Sequence, residues 1–149
     1  MKIEKANSND NEILTEITKR SKAYWGYSEE QILQWNDNLT ISKDYIETNF
    51  TFKLVSDTKV IGYYSYVIEG EKNVKLDNLF LLPEYIGKGF GKYLVDDFLK
   101  RMRNENFEKI LLDSEPYAEA FYLKFGFKKI GEFETSIKNR FMPILEMNL

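Results

Sequence analysis

Apolar and polar positions along this chain fall into short blocks, each with its own rhythm. The densest block runs from Val74 to Asn104. Leu76 and then Leu79–Leu82 form an apolar run of strand length, stopped by Pro83. Beyond a glycine-rich turn, Leu94, Val95, Phe98, Leu99 and Met102 recur at helical spacing and predict a helix with one apolar face. Lys100, Arg101 and Arg103 near its end suit the negative pole of the helix dipole. The block reads as strand, turn and helix.

The same reading carries along the rest of the chain. Lys2–Lys5 predicts a short first strand, and Asn7–Asp10 a turn or cap. Ile13, Leu14 and Ile17 give a helical stripe to about Arg20. Ser28 caps a second helix carrying Ile32, Leu33 and Trp35. Ser42–Glu47 predicts a third short helix or turn. Phe50–Val55 and Val60–Ile68 are rich in β-branched and aromatic residues and predict two strands joined by a tight turn at Asp57–Lys59. Short connections make these two strands and the central one antiparallel. After the central helix, Lys109–Asp113 predicts a strand parallel to it, closing a βαβ unit. Pro116 opens a further helix holding Ala118, Phe121, Tyr122 and Phe125, and Gly126 suits its exit. Phe127–Phe133 and Phe141–Met147 are the last two strands, linked by polar Glu134–Arg140.

The turn at Gly87, Gly89 and Gly91 carries the first chemical signal. Glycines let a backbone approach a ligand closely, and the following helix presents unpaired N–H groups. Lys88 and Lys92 add positive charge. The combination suits a phosphate or pyrophosphate. It is not a dinucleotide fingerprint, because Lys92 or Leu94 stands where the third glycine belongs. It is not a Walker loop, because Tyr93 follows Gly91–Lys92 where Ser or Thr is required.

Composition narrows the classes. With 149 residues, 43% hydrophobic and 30% charged, the chain predicts one globular domain spanning residues 1–149. Neither cysteine nor histidine occurs. Disulfides, a Cys/His zinc site, a cysteine nucleophile and a histidine base are all excluded. The net charge of −3 and the lack of a basic tract point away from nucleic acid. No apolar stretch has the length of a membrane helix, and the polar start Met1–Asn7 is unlike a secretory leader. A cytoplasmic location is the expectation.

The stretch Leu79–Leu94, L-F-L-L-P-E-Y-I-G-K-G-F-G-K-Y-L, resembles the acetyl-CoA signature of the GCN5-related N-acetyltransferases (GNAT). Gly89 and Gly91 match that signature, while Ile86 replaces its polar first residue. Ala118–Phe127, A-E-A-F-Y-L-K-F-G-F, resembles the late helix of the same family. The resemblance implies an α/β (α+β) fold: a mixed, mostly antiparallel twisted sheet flanked by helices, with one splayed parallel strand pair. It implies an acetyl-CoA-dependent transfer to a primary amine of a small molecule or peptide. The amine attacks directly in a ternary complex, and no metal is implied. A homodimer is in keeping with the family.

Carried over residue by residue, the resemblance assigns the main chain of Leu79, Phe80 and Leu81 to the pantetheine amides, with an N–H near Leu81 for the thioester oxygen. It assigns Gly87, Lys88, Gly89, Phe90, Gly91 and Lys92 to the pyrophosphate. Tyr122 takes the position of the family's proton donor to the leaving thiolate. Asp77, on the central strand, is a candidate general base, beside Glu69, Glu71, Tyr24 and a water chain. Tyr24, Trp25 and Tyr27 fall where the family builds its acceptor wall. Ser114–Tyr117 lacks the asparagine that family members often place there. Two other classes compete: an acyl-CoA-binding sensor, and an interaction module using the Tyr24–Tyr27 loop.

Overall fold

A computed structural model describes all residues, 1–149. The strands are β1 (Lys2–Lys5), β2 (Phe50–Ser56), β3 (Lys59–Ile68), β4 (Asn73–Leu81), β5 (Lys109–Asp113), β6 (Lys128–Glu134) and β7 (Phe141–Asn148). The helices are α1 (Asn11–Tyr24), α2 (Glu29–Gln34), α3 (Asn36–Leu39), α4 (Lys43–Thr48), α5 (Phe90–Asn104) and α6 (Glu119–Leu123). The strands follow the order β1-β2-β3-β4-β5-β7-β6. Only β4 and β5 pair in parallel, as the predicted βαβ unit requires.

The chain divides into two compact units. The first holds Met1–Tyr66 and Asn78–Lys100. Here β1 and β3 both pair antiparallel with β2, from Lys2↔Val55 and Phe50↔Tyr66. Asp57, at φ 57°, takes the left-handed turn position between β2 and β3. One face of β3 carries Tyr64 and Tyr66, whose rings meet Phe98 of α5. The Tyr64 hydroxyl donates to Asp97 Oδ2 at 2.7 Å. The opposite face carries Tyr63, paired with Thr18 of α1, and Ser65, bonded to Tyr45 of α4 and Asn78 of β4. Buried Leu14, Ile17, Leu54, Ile61, Leu94 and Val95 fill the remainder.

The second unit holds Val67–Asp77 and Arg101–Leu149. Asn73–Lys75 of β4 pair with Lys109–Leu111 of β5, and β5 pairs antiparallel with β7. Val74, Leu76, Met102, Ile110, Leu112, Tyr122, Phe127, Leu145 and Met147 are its buried apolar residues. Arg140, at the end of the β6–β7 link, bonds Glu115 at 2.9 Å, and both side chains are about nine-tenths buried.

Four boundaries differ from the sequence expectation; one is the late helix, where Pro116–Ala118 forms a separate 3-10 turn and α6 ends at Leu123, leaving Ala118 and Phe125 outside it. Helix α1 continues to Tyr24, because Lys22 and Ala23 sustain it until Gly26, at φ 92°, ends it. The second helix breaks at Trp35 into α2 and α3. Helix α5 begins at Phe90, so Gly91 lies in its first turn, and only Gly87 and Gly89 are left-handed.

Candidate functional site

The glycine turn is shaped by conformation and not by crowding. Gly87 and Gly89 have φ of 80° and 90°, which side chains resist, yet a Cβ at either would meet nothing within 4 Å. The first bond of α5 runs from Tyr93 N–H to Gly89 O at 3.1 Å. The N–H groups of Phe90, Gly91 and Lys92, in the first turn of α5, have no intrahelical acceptor. Such donors at the positive end of a fifteen-residue helix favour an anion. Lys88 is exposed beside it. Lys92 is exposed too, and its ammonium pairs with Asp96 at 2.6 Å one turn on.

The turn is braced from behind. The Tyr85 ring meets Phe90 edge-on at 5.6 Å and Lys59 lies over its face at 5.8 Å. Glu84 bonds Arg20 of α1 at 2.9 Å. Its own backbone N–H and then Arg20 hold the Glu84 carboxyl below the usual carboxylate range.

At the end of β4 the backbone direction is fixed by two contacts. Leu82 N–H donates to Ile61 O of β3 at 2.9 Å, and the Phe80 carbonyl oxygen lies against Gly62 of β3. By strand alternation, Leu79 and Leu81 then turn their N–H and C=O groups away from β3. The register with β5 covers only Asn73–Lys75. Of the three expected pantetheine residues, Leu79 and Leu81 therefore turn their backbone groups away from β3, while Phe80 turns its own toward β3. Gly62 was not singled out from the sequence. A glycine inside an otherwise bulky strand was the available signal.

The aromatic loop separates into two pairs. Tyr24 and Trp25 meet edge-on at 5.1 Å, and Tyr27 meets Trp35 at 4.9 Å, with Lys22 over the Trp35 ring at 5.7 Å. Tyr24 is 51% exposed, so it does not serve as core.

In the second unit, Tyr122 of α6 is buried, with its ring against Phe121 and Phe127. Burial pushes its hydroxyl well above the usual tyrosine range. Burial therefore keeps it protonated, and also makes it a weaker acid than an exposed tyrosine. Asp77 is exposed and adds its charge to a cluster around Lys75. Burial works against the charged form of Lys75, but the hydrogen bond and charge of Asp113, at 2.9 Å, outweigh it, helped by Asp77 and Glu69. The Lys75 ammonium is thus held above its ordinary range.

Known proteins bear on this arrangement. Residues 25–148 match the family described as the acetyltransferase (GNAT) domain, and the chain belongs to that family. It is similar to PaiA N-acetyltransferase of Thermoplasma acidophilum, solved in complex with coenzyme A, with 25% identity, a TM-score of 0.84 and coverage of 99% and 98% of the two chains. It is 26% identical over 106 residues to the ribosomal protein bS18-alanine N-acetyltransferase of Haemophilus influenzae, covering 70% of this chain and 68% of that protein. It is 28% identical over 74 residues to the uncharacterized N-acetyltransferase ycf52 of Porphyra purpurea. That match spans 50% of this chain and 42% of the algal protein, less than half its length. No helix is long and apolar enough to cross a membrane.

Proposed function

We propose that the chain transfers the acetyl group of acetyl-CoA to a primary amine, acting as a single cytoplasmic domain. The left-handed Gly87 and Gly89 leading into the open N-terminus of α5 are the observation that carries this reading. The amides there hold the pyrophosphate, and Lys88 adds charge. The outward N–H and C=O of Leu79 pair with the pantetheine amides, which satisfies donors and acceptors on both partners, and Leu81 N–H is left for the thioester oxygen.

The chemistry follows in balanced steps. The substrate ammonium first gives a proton to a base, either Asp77 or water. The amine nitrogen then attacks the thioester carbonyl carbon, and Leu81 N–H steadies the oxygen as it gains charge. The C–S bond breaks as the amide forms, the Tyr122 hydroxyl supplies a proton to the departing thiolate, and the second nitrogen proton, shed as the amide forms, returns to the Tyr122 oxygen through water. With no cysteine in the chain, no thioester forms on the protein. Exposed Tyr24, with part-buried Trp25 and Tyr27, supplies an aromatic surface for the acceptor. The relative from H. influenzae acts on a protein alanine, which makes a peptide amine one acceptor to test.

Acetyl-CoA consumption, followed by thiol release, is measured against an alanine-first peptide, a lysine peptide, spermidine, free amino acids and an aminoglycoside. Thiol release matched by acetylated amine is expected with at least one of these. Absence of both transfer and coenzyme A binding overturns the reading.

A further inference from the structure

Gly62 sits in the interior of β3, buried between Ile61 and Tyr63. Its φ is not left-handed, so backbone freedom does not explain it. Its neighbours on the same face, Tyr64 and Tyr66, are large and fully buried. Glycine in a strand interior is destabilising relative to alanine. The reason for it lies on β4. A Cβ at Gly62 would stand 2.6 Å from Leu81 Cδ2 and 2.9 Å from the Phe80 carbonyl oxygen. The first contact ends on a flexible side-chain tip that can rotate away. The second meets backbone and cannot be relieved that way.

The Phe80 carbonyl and the Leu81 N–H are opposite ends of one planar trans peptide. Displacing the oxygen away from β3 tilts or translates the N–H with it. We infer that Gly62 is a positioning residue for acyl transfer: its missing side chain lets β3 hold the Phe80–Leu81 peptide so that Leu81 N–H meets the thioester oxygen. This rests on the acetyl-CoA reading above and extends it to a residue that touches no substrate.

The test uses four full-length proteins: wild type, Gly62→Ala, Leu81→Ala and the double variant. Each is assayed for kcat with the best amine of the panel, for affinity to coenzyme A lacking the acetyl group, and for Tm. Gly62→Ala is expected to lower kcat about 10- to 100-fold while changing the coenzyme A Kd less than about threefold, because only the transition-state contact is misaligned. In the Leu81→Ala background the 2.6 Å contact is gone and the Phe80 contact remains. There, adding Gly62→Ala is expected to lower Tm less and kcat as much as before. That background also supplies a folded protein should the single variant fail to fold. A purely structural role moves Tm and leaves kcat unchanged in the folded protein. Wild-type kcat in folded Gly62→Ala, or no kcat loss when Gly62→Ala is added to Leu81→Ala, overturns the inference. A wild-type protein that binds no coenzyme A and acetylates nothing removes the function reading, and this inference with it.

Discussion

The Tyr64 hydroxyl donates to the Asp97 carboxylate at 2.7 Å, tying the middle of β3 to the second turn of α5. That bond fixes the helix whose first turn carries the amides without an intrahelical acceptor. Hydrogen bonds to charged groups contribute about 1.5–3 kcal/mol. Tyr64→Phe keeps the ring against Phe98 and removes only the bond. Unfolding by denaturant is expected to show a loss of about 2 kcal/mol, with coenzyme A affinity weakened as the helix start loses definition.

Gly89 provides a second check. Its φ of 90° is costly for any residue with a Cβ, although space around it is open. Gly89→Ala is expected to cost about 1–2 kcal/mol of stability, or else to relax the turn. Either way the amide run is re-aimed, and calorimetry should report weaker binding of acetyl-CoA, with kcat at saturation changed far less than affinity.

Much of this was legible beforehand. The apolar run of β4, the glycine turn and the stripe of α5 identified themselves because each follows a single local rule. Tyr122 and Gly126 were placed by their motif, and Gly126 does take a left-handed φ of 102° at the exit of α6. Gly62 escaped because its role depends on Phe80 and Leu81, which approach it only in the folded sheet. The break between α2 and α3 at Trp35 escaped as well, since no glycine or proline marks it. The Glu115–Arg140 pair escaped because 25 residues separate the partners.

That pair yields its own expectation. Both side chains are about nine-tenths buried, so removing one takes the close counter-charge from the other. Arg140→Ala is expected to destabilise by about 3 kcal/mol, whereas Arg140→Met with Glu115→Gln, which leaves no lone charge, should recover much of it. Thermal or denaturant unfolding of the three proteins decides the matter.

Tyr122 makes a prediction in pH. Burial raises its folded value far above that of an unfolded tyrosine, which is about 10. Below about pH 10 neither state has lost the proton, and the hydroxyl adds no pH dependence. Above that, the unfolded chain ionises while the folded one does not, so stability falls as pH rises. Tyr122→Phe cannot titrate. The difference in stability between wild type and Tyr122→Phe should be flat up to about pH 9, then shift in favour of the variant beyond about pH 10. In turnover, Tyr122→Phe should lose about 100-fold or more in kcat while keeping coenzyme A affinity, as removal of a general acid requires.

The most direct test of the whole account is a calorimetric titration of the intact protein with acetyl-CoA, paired with a thermal melt. Saturable one-to-one binding is expected, weakened when the pyrophosphate portion is absent from the titrant. At a hundredfold excess over Kd it should stabilise the fold by about 2.7 kcal/mol. A silent titration with an unchanged melt would contradict the claim that the Gly87–Lys92 amides are a coenzyme A cradle.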